Sequence, residues 1–541
     1  MLPEFESGIV RAEDNRGHRR WRDGGRIYVI LVFILLTILG LVSVGIASAK
    51  TIYVPDDHAK IQWAVDNATD GDTIIVRDGI YDESITVSKH LTIKSEKGTE
   101  NCIVNGTVNV FTLKADGIRI EGFTITGGIY GIYILSSNNT IINNNIISNK
   151  YDGILLWHSI GNSISNNNIS NNYDGIDLRY SDNNSISNNI ISSNNHEGIG
   201  LWDSNNNMIS NNIISSNNDN GIYFKDSNNN SISENNISSN NYWGVVLWNS
   251  SKNTIEINKF INDGLSVGYS YRNIVKDNTV NGKPLVYLEN KSDEFVYNAG
   301  QVILVKCTNI TIINSELKNT DVGIELWRSN NCLISANNIS NNYGGIDLRY
   351  SDNNSISNNI ISSNNQYGIS FLLYSDNNSI SCNNFSNNWY SIYIHHSNNN
   401  SIAENNFSNN WHGICIHYSS NNIIYLNNFI NNTYNADSYG IRINNIWNST
   451  EPIKYTYKGL NFTNYMGNYW DDYNGSDANR DGLGDTAYMI PSLYDKDYHP
   501  LIEKFENYIV AEKEEREVPG FEAFFAITGL LAVAYLLRRK R

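Results

Sequence analysis

Through most of this chain apolar residues alternate with polar ones in short runs, such as Ile176-Asp177-Leu178 and Ser185-Ile186-Ser187, and none of these runs is long enough for a helix. Alternation of period two is a strand signal. Between the runs lie Asn-Asn, Ser-Asn and Asp-Asn pairs, which tolerate left-handed backbone and turn the chain. The unit repeats. Glycine recurs at Gly131, Gly153, Gly175, Gly198, Gly221 and Gly244, and again at Gly323, Gly345, Gly368 and Gly413 with Ser391 in the fourth place, a period of 22 or 23 residues. Three short strands and three turns in that length predict one coil of a parallel β-helix, in which each coil buries its apolar side only against its neighbours. Leucine-rich and helical repeats of similar length need a leucine framework or good helix formers, and Asn, Ser, Gly and Ile supply neither.

The expected fold is therefore all-β, a single-stranded right-handed parallel β-helix of 22–23-residue coils with an N-terminal helical cap. The residue after each glycine and the one two further on should point inward: Ile176 and Leu178, Ile199 and Leu201, Ile222 and Phe224, Val245 and Leu247. Asparagines at one turn position of successive coils can stack as amide ladders. Residues 50–120 read as the N-terminal cap and first coils. There Asp56-Asp57 are candidate caps for a helix with apolar face Ile61, Ala64, Val65 and Ala68. Residues 121–264 form a regular array, 265–318 an irregular or inserted segment, 319–430 a second array, and 431–500 the last coils and a cap.

The two ends are of another kind. A basic stretch from His18 to Arg26, an apolar run from Ile27 to Ile46 and then Ala47-Ser48-Ala49 read as a signal peptide over 1–49. An uncleaved anchor is the alternative, because the run can span a membrane. At the other end an acidic spacer, 501–518, leads to Pro519-Gly520-Phe521, an apolar run to Leu537 and the basic tail Arg538-Arg539-Lys540-Arg541. That order places the bulk of the chain outside the cell, tethered to the membrane at its C-terminus.

The formal charge of −16 argues against nucleic acid as a partner. Five scattered cysteines do not make a disulfide scaffold, and an odd number leaves a thiol unpaired within the chain.

Chemistry is expected on the outward columns. The fourth residue after each glycine gives a line containing Trp157, Arg179, Trp202 and Trp248, and in the second array Trp327 and Arg349. Exposed, they would stack against sugar rings of a polysaccharide or meet an envelope protein; otherwise they fold over their neighbours' apolar parts. A second aromatic column two before the glycine holds Tyr151, Tyr173, Tyr242, Tyr343, Trp389 and Trp411, interrupted by His196, Asp219 and Gln366. His395 and His417 fall on adjacent coils with Cys415 on the same face, a donor set suited to Cu or Zn; surface or turn histidines are the alternative. Asp477, Asn479, Asp481, Leu483 (through its carbonyl) and Asp485, with Gly482 at position six, match the start of a Ca²⁺ loop. Tyr488 stands where the final Glu belongs, so Asp495 or Asp497 is the candidate to complete the shell, and the ion's role would be structural. No carboxylate pair suited to glycoside hydrolysis, and no base-and-arginine cluster suited to a lyase, is evident in the arrays; Asp177 and Asp347 share a column position but lie many coils apart.

With those residues in view, 50–500 resembles the NosD-like right-handed β-helix family. The stretches that carry it are Ile61 to Tyr81, the SNNNSISNN coils, Asn281 to Leu285, Ala299 to Lys306, and Gly467 to Asp485. The resemblance implies an extracytoplasmic protein, and for the family's named member a part in supplying copper; it carries no copper motif onto this chain. The C-terminus resembles the PGF-type sorting signal of archaeal surface proteins, which implies processing by an archaeosortase and attachment to lipid. The expected function is a non-enzymatic surface protein binding glycans or neighbouring envelope proteins. The alternatives are a copper-handling accessory or a polysaccharide lyase, hydrolase or epimerase.

Overall fold

The computed structural model describes residues 49–510 apart from 373, 441–443 and 492–494. The signal peptide expected over 1–49 (apart from Ala49), the PGF motif and the C-terminal apolar run lie outside the described residues. The described residues from Thr51 form one compact unit.

It is a parallel β-helix built in two stretches. In the first, every coil contributes three strands, for example Ile176–Arg179, Ser185–Ser187 and Ile190–Ser192. Each pairs in parallel with its counterpart one coil on, as Ile176 with Ile199, Ser185 with Met208 and Ile190 with Ile213. The sheet made of strands that follow the glycines, here the glycine-led sheet, has nine strands ending at Leu265–Gly268; the sheet beside it has eleven. The expected inward residues Ile176, Leu178, Ile199, Leu201, Ile222, Phe224, Val245 and Leu247 are all fully buried. Each stabilises the coil by roughly 1.5–3 kcal/mol relative to exposure.

The turns explain the asparagine. Asn183 and Asn188 adopt φ 57°, the left-handed region that Asn tolerates better than other side-chain-bearing residues. The next residue in each case, Asn184 or Asn189, is buried and belongs to a ladder. Asn189 Oδ1 accepts the main-chain N–H of Asn167 at 2.9 Å, while its own N–H reaches Asn212 Oδ1 at 2.9 Å and its Nδ2 donates to the Ile164 carbonyl at 2.9 Å. Three such ladders run through the first stretch, and a serine ladder (Ser159, Ser181, Ser204, Ser227, Ser250) runs beside them. Turn backbone that cannot join the sheets is satisfied in this way without water.

At the N-terminal end the helix Ile61–Asn67 covers the first coil, with Ile61, Ala64, Val65 and Ala68 buried as expected. Its cap differs from the expectation. Glu83, one coil on, accepts the N–H groups of Ile61 and Gln62 at 3.0 Å each, and Asp57 instead accepts the N–H of Tyr53. Only the stacking of coils brings Glu83 to that helix end.

The irregular segment is a junction, and it does not project as an insertion. Asn281 (φ 49°) and Gly282 (φ 80°) make a two-residue turn that reverses the chain, so that Lys283–Glu289 pairs antiparallel with Thr279–Val280. Lys283–Glu289 then begins the glycine-led sheet of the second stretch, which continues through Gln301–Val305 and Val322–Trp327 to Tyr434–Tyr439. The strand Gln301–Val305 is buried on both faces. Val302 and Leu304 join the second core; Ile303 and Val305 join the first. The outer face of the second stretch thus closes the open end of the first. Side chains replace the missing next strand: Asp321 Oδ2 accepts the N–H of Gly244 and of Gly264 at 3.0 and 2.9 Å, Gln301 Oε1 that of Leu265 at 2.9 Å, and Glu325 that of Val267.

The far end closes with aromatic side chains inside the expected 431–500 cap. Phe385, Phe407, Phe429, Trp470 and Tyr488 form one stack with centroids 4.3–4.9 Å apart. A small antiparallel sheet (Ile453–Tyr457, Leu460–Asn464, Tyr508–Val510) packs its own core around Tyr455, Met466 and Leu501. All five cysteines are free, and only Cys382 is exposed.

Candidate functional site

Among the described residues, the groups of acidic and histidine side chains close enough to share an ion lie on the outer side of the first glycine-led sheet. Asp152, Asp174 and Glu197 each precede a repeat glycine on consecutive coils, and Asp177 stands two residues after Gly175. Asp177 is in register with Leu155 on one side and Gly200 on the other. Carboxylate oxygens of Asp152, Asp174 and Asp177 lie within 4.8 Å of one another, as do ligand atoms of Asp174, His196 and Glu197. Asp177 is fully buried and the other three carboxylates are at most 6% exposed. The expectation that Asp177 has no close acidic partner is therefore corrected. Comparison along its own column, with Asp347, could not reveal partners that come from the pre-glycine column; the Asp-Gly, Asp-Gly, Glu-Gly series at the repeat spacing was the available signal.

Partners divide the cluster. Asp177 Oδ2 is held by Arg179 Nε at 2.6 Å, and Asp174 Oδ1 by His196 Nδ1 and the Glu197 N–H, both at 2.8 Å. His196 Nε2 lies 3.3 Å from Asp219. Asp177 Oδ1 and Glu197 Oε2 have no hydrogen-bond partner. Both point at Gly200: a Cβ built there would stand 2.8 Å from Glu197 Oε2 and 3.3 Å from both Asp177 Oδ1 and the Trp202 indole nitrogen. Glycine leaves that notch open.

Burial dominates the electrostatics. It raises Asp152 and Glu197 to about 8, reinforced by the neighbouring carboxylates, and Asp177 to about 6 against the pull of Arg179. The hydrogen bond to Asp174 raises His196 to about 9. Such a set can hold protons, donate them, or neutralise itself with a cation.

The Trp/Arg column forms in register, Trp157 beside Arg179 beside Trp202, and Lys225 beside Trp248. Much of it is engaged within the chain. Trp157 packs edge-on against His158 and Tyr180, and Trp202 faces the Lys225 ammonium at 5.1 Å. Arg179 and Arg349 neutralise the buried Asp177 and Asp347. Trp248 remains 39% exposed. Trp327 is the correction: it is 1% exposed, sealed into the junction, because the second stretch turns its outer face onto the first.

The second aromatic column stays outside. Tyr151, Tyr173, Tyr242, Trp389 and Trp411 are each 42–54% exposed. Tyr173 stacks on His196 at 4.9 Å and Trp389 on Trp411 at 4.9 Å. Across the junction Tyr242 meets Tyr343 at 5.4 Å, beside a cleft of about 200 Å³ lined by Asn241, Asn262, Asn319, Asn341 and Asn365.

His395, Cys415 and His417 share a face, with Cys415 Sγ 3.4 Å from His417 Nε2 and Tyr393 Oη 3.2 Å from His417 Nδ1. They are not among the groups whose three ligand atoms lie within 4.8 Å of one another. Burial pushes the Cys415 thiol up to about 12 and lowers both histidines. In the Ca²⁺-like loop Asp477 accepts the N–H groups of Asp481 and Gly482, and Asp485 that of Ala478. Asp481 in turn accepts the N–H of Leu483 and the side-chain amide of Asn479. Asp495 and Asp497, the candidates to complete that shell, have partners in the C-terminal cap. They hold the indole N–H groups of Trp447 and Trp470 under the C-terminal cap.

Residues 65–242, 143–301 and 288–475 match the family described as periplasmic copper-binding protein (NosD), and 518–540 match the PGF-CTERM motif. A cell surface glycoprotein of Methanothermus fervidus is 38% identical over 111 residues, and the chain spans only 19% of that relative's length. Among solved structures, an alginate lyase from Paenibacillus is 17% identical with a TM-score of 0.31, covering 54% of this chain and 95% of its own. The catalytic domain of a GH87 α-1,3-glucanase is 14% identical with a TM-score of 0.37, covering 62% and 64%. The protein is extracytoplasmic and anchored at the cell surface by its PGF-CTERM end. With three overlapping matches from residue 65 to residue 475, the chain belongs to the NosD family of periplasmic copper-binding β-helix proteins.

Proposed function

We propose that this protein is a non-enzymatic surface solenoid that binds glycans of the envelope along its exposed aromatic column. The observation that carries the reading is the Tyr242–Tyr343 pair, which continues that column across the junction beside an amide-lined cleft. Sugars present an apolar C–H face and a rim of hydroxyls, and flat aromatic rings next to asparagine amides suit both. The nearby carboxylates are almost wholly buried, which favours binding over chemistry on a polymer. The test is binding of the full chain in nanodiscs to a panel of neutral and acidic glycans. Binding should weaken at least tenfold in the Tyr242→Ala, Tyr343→Ala double variant. No binding to any glycan, binding indifferent to the double change, or turnover of a polysaccharide sinks the reading.

The Cys415–His417 contact favours a second reading, copper handling, with His395 as the third donor. The thiol must then release its proton to solvent as the metal takes its place. Copper retained by the purified protein and lost in Cys415→Ser supports it; copper absent, or unaffected by that change, removes it. Structural Ca²⁺ at Asp477, Asn479, Asp481, Leu483 and Asp485 belongs to either reading, and a Ca²⁺-dependent rise in Tm that Asp481→Asn diminishes is its test.

A further inference from the structure

We propose that Asp152, Asp174, Asp177 and Glu197 form a binding site for a hard divalent cation, of the Ca²⁺ or Mn²⁺ class, seated in the notch that Gly200 leaves in the ladder. The site lies in the first stretch, apart from the Ca²⁺-like loop and from the Cys415–His417 contact, and it does not depend on glycan binding.

Two independent observations carry it. One is the acidic cluster: oxygens of Asp152, Asp174 and Asp177 lie within 4.8 Å of one another, and Glu197 joins them through a second such group with Asp174 and His196. The other is that Asp177 Oδ1 and Glu197 Oε2, on side chains 0% and 4% exposed, have no partner and converge on one point. Leaving a buried acceptor unmet costs about 1–3 kcal/mol, more if it is charged, so a fold that leaves two unmet side by side is expected to meet them with something. At the neighbouring coil the same register position carries Tyr223, whereas position 200 has only a hydrogen, and any side chain there would collide with Glu197.

Pairing gives the valence. Arg179 pairs with Asp177 and His196 with Asp174, whereas Asp152 and Glu197 have no ion-pair partner, and one divalent cation matches those two carboxylates. Ligand chemistry gives the class. Both nitrogens of His196 are engaged, by Asp174 and by Asp219, so the free donors are carboxylate oxygens, which suit Ca²⁺ and Mn²⁺ rather than copper or zinc. Asp219 sits on the outer, more exposed side of the histidine and is not counted among the ligands.

The full chain in detergent, stripped with a chelator, is titrated with Ca²⁺, Mn²⁺ and Tb³⁺. The Trp202 indole beside the notch should sensitise Tb³⁺ luminescence, and Ca²⁺ should displace it. Glu197→Gln, which keeps the side chain's shape, and Gly200→Ala, which fills the notch and keeps all four carboxylates, should each weaken this binding at least tenfold. Asp203→Asn, at an exposed turn of the same coil, should leave it unchanged, and the cation should raise the Tm of the wild-type chain several degrees more than that of Glu197→Gln. Should Gly200→Ala fail to fold, as judged by its β-sheet circular dichroism, Asp152→Asn takes its place. Cation binding that survives both Glu197→Gln and the notch variant, or that is abolished by Asp203→Asn, overturns the proposal. So does a cluster that holds protons only, seen as a Tm that no cation tested raises more than that of Glu197→Gln.

Discussion

Trp327 donates its indole N–H to the hydroxyl of Tyr271 at 2.7 Å, across the junction between the two stretches of the β-helix. The indole is packed edge-on against Tyr269 at 4.5 Å and Tyr350 at 5.5 Å. A residue whose column places it outside is inside because the second stretch uses its outer face as the lid of the first. Trp327→Ala should therefore lower stability by about 3–5 kcal/mol, the range for emptying a large buried aromatic site. Trp248→Ala, in the matching column of the first stretch, should cost under half as much. Calorimetry on both variants checks the order; equal losses would place Trp327 at the surface.

The asparagines separate into two kinds that sequence composition does not distinguish. Asn189→Ala deprives the Asn167 N–H and the Ile164 carbonyl of their partners, and should destabilise by about 2–5 kcal/mol. Its neighbour Asn188 sits at φ 57°, so Asn188→Gly should be near neutral, whereas Asn188→Val should cost about 1–2 kcal/mol in backbone strain. Thermal melts of the three variants provide the comparison.

Stability should fall as pH rises from 5 to 8 in the metal-free protein. Burial raises Glu325 at the junction to about 7 and Asp497 under the cap to about 7, above their unfolded values near 4. The folded state holds those protons after the unfolded chain has released them. The contribution is therefore complete below the unfolded pKa and is lost as pH climbs through about 7. Glu325→Gln should flatten part of the slope. A Tm that is constant or rises over that interval contradicts the argument.

Glu83 caps a helix that is distant in sequence. Glu83→Ala should fray Ile61–Asn67 and cost about 1 kcal/mol, with faster amide exchange at Ile61 and Gln62. Asp56→Ala should leave exchange at those two amides unchanged, since the helix takes no cap from it.

The sequence by itself determined the coil. A period of 22 or 23 residues, inward Ile and Leu, and Asn pairs at the turns specify local strands and turns whose only partners are the adjacent copies. Such contacts are set by spacing, so columns such as Trp157–Arg179–Trp202 could be written down from residue numbers. The helix over the first coil was legible from its own apolar face, and a cap within 431–500 from the loss of the period there. Burial on the outer faces was not legible, because it depends on which surfaces a turn at Asn281-Gly282 brings together. The same holds for Glu83 at the helix, for Asp495 and Asp497 beneath the tryptophans, and for Asp321 and Glu325 standing in for a missing strand. The carboxylate cluster lies between these cases. Its members fall on two registered columns that can be counted in the sequence, but only the three-dimensional stack shows that Asp177 and Glu197 lean together over a glycine. Periodicity fixes neighbours along a column; convergence between columns is decided by side-chain direction and by what is left empty.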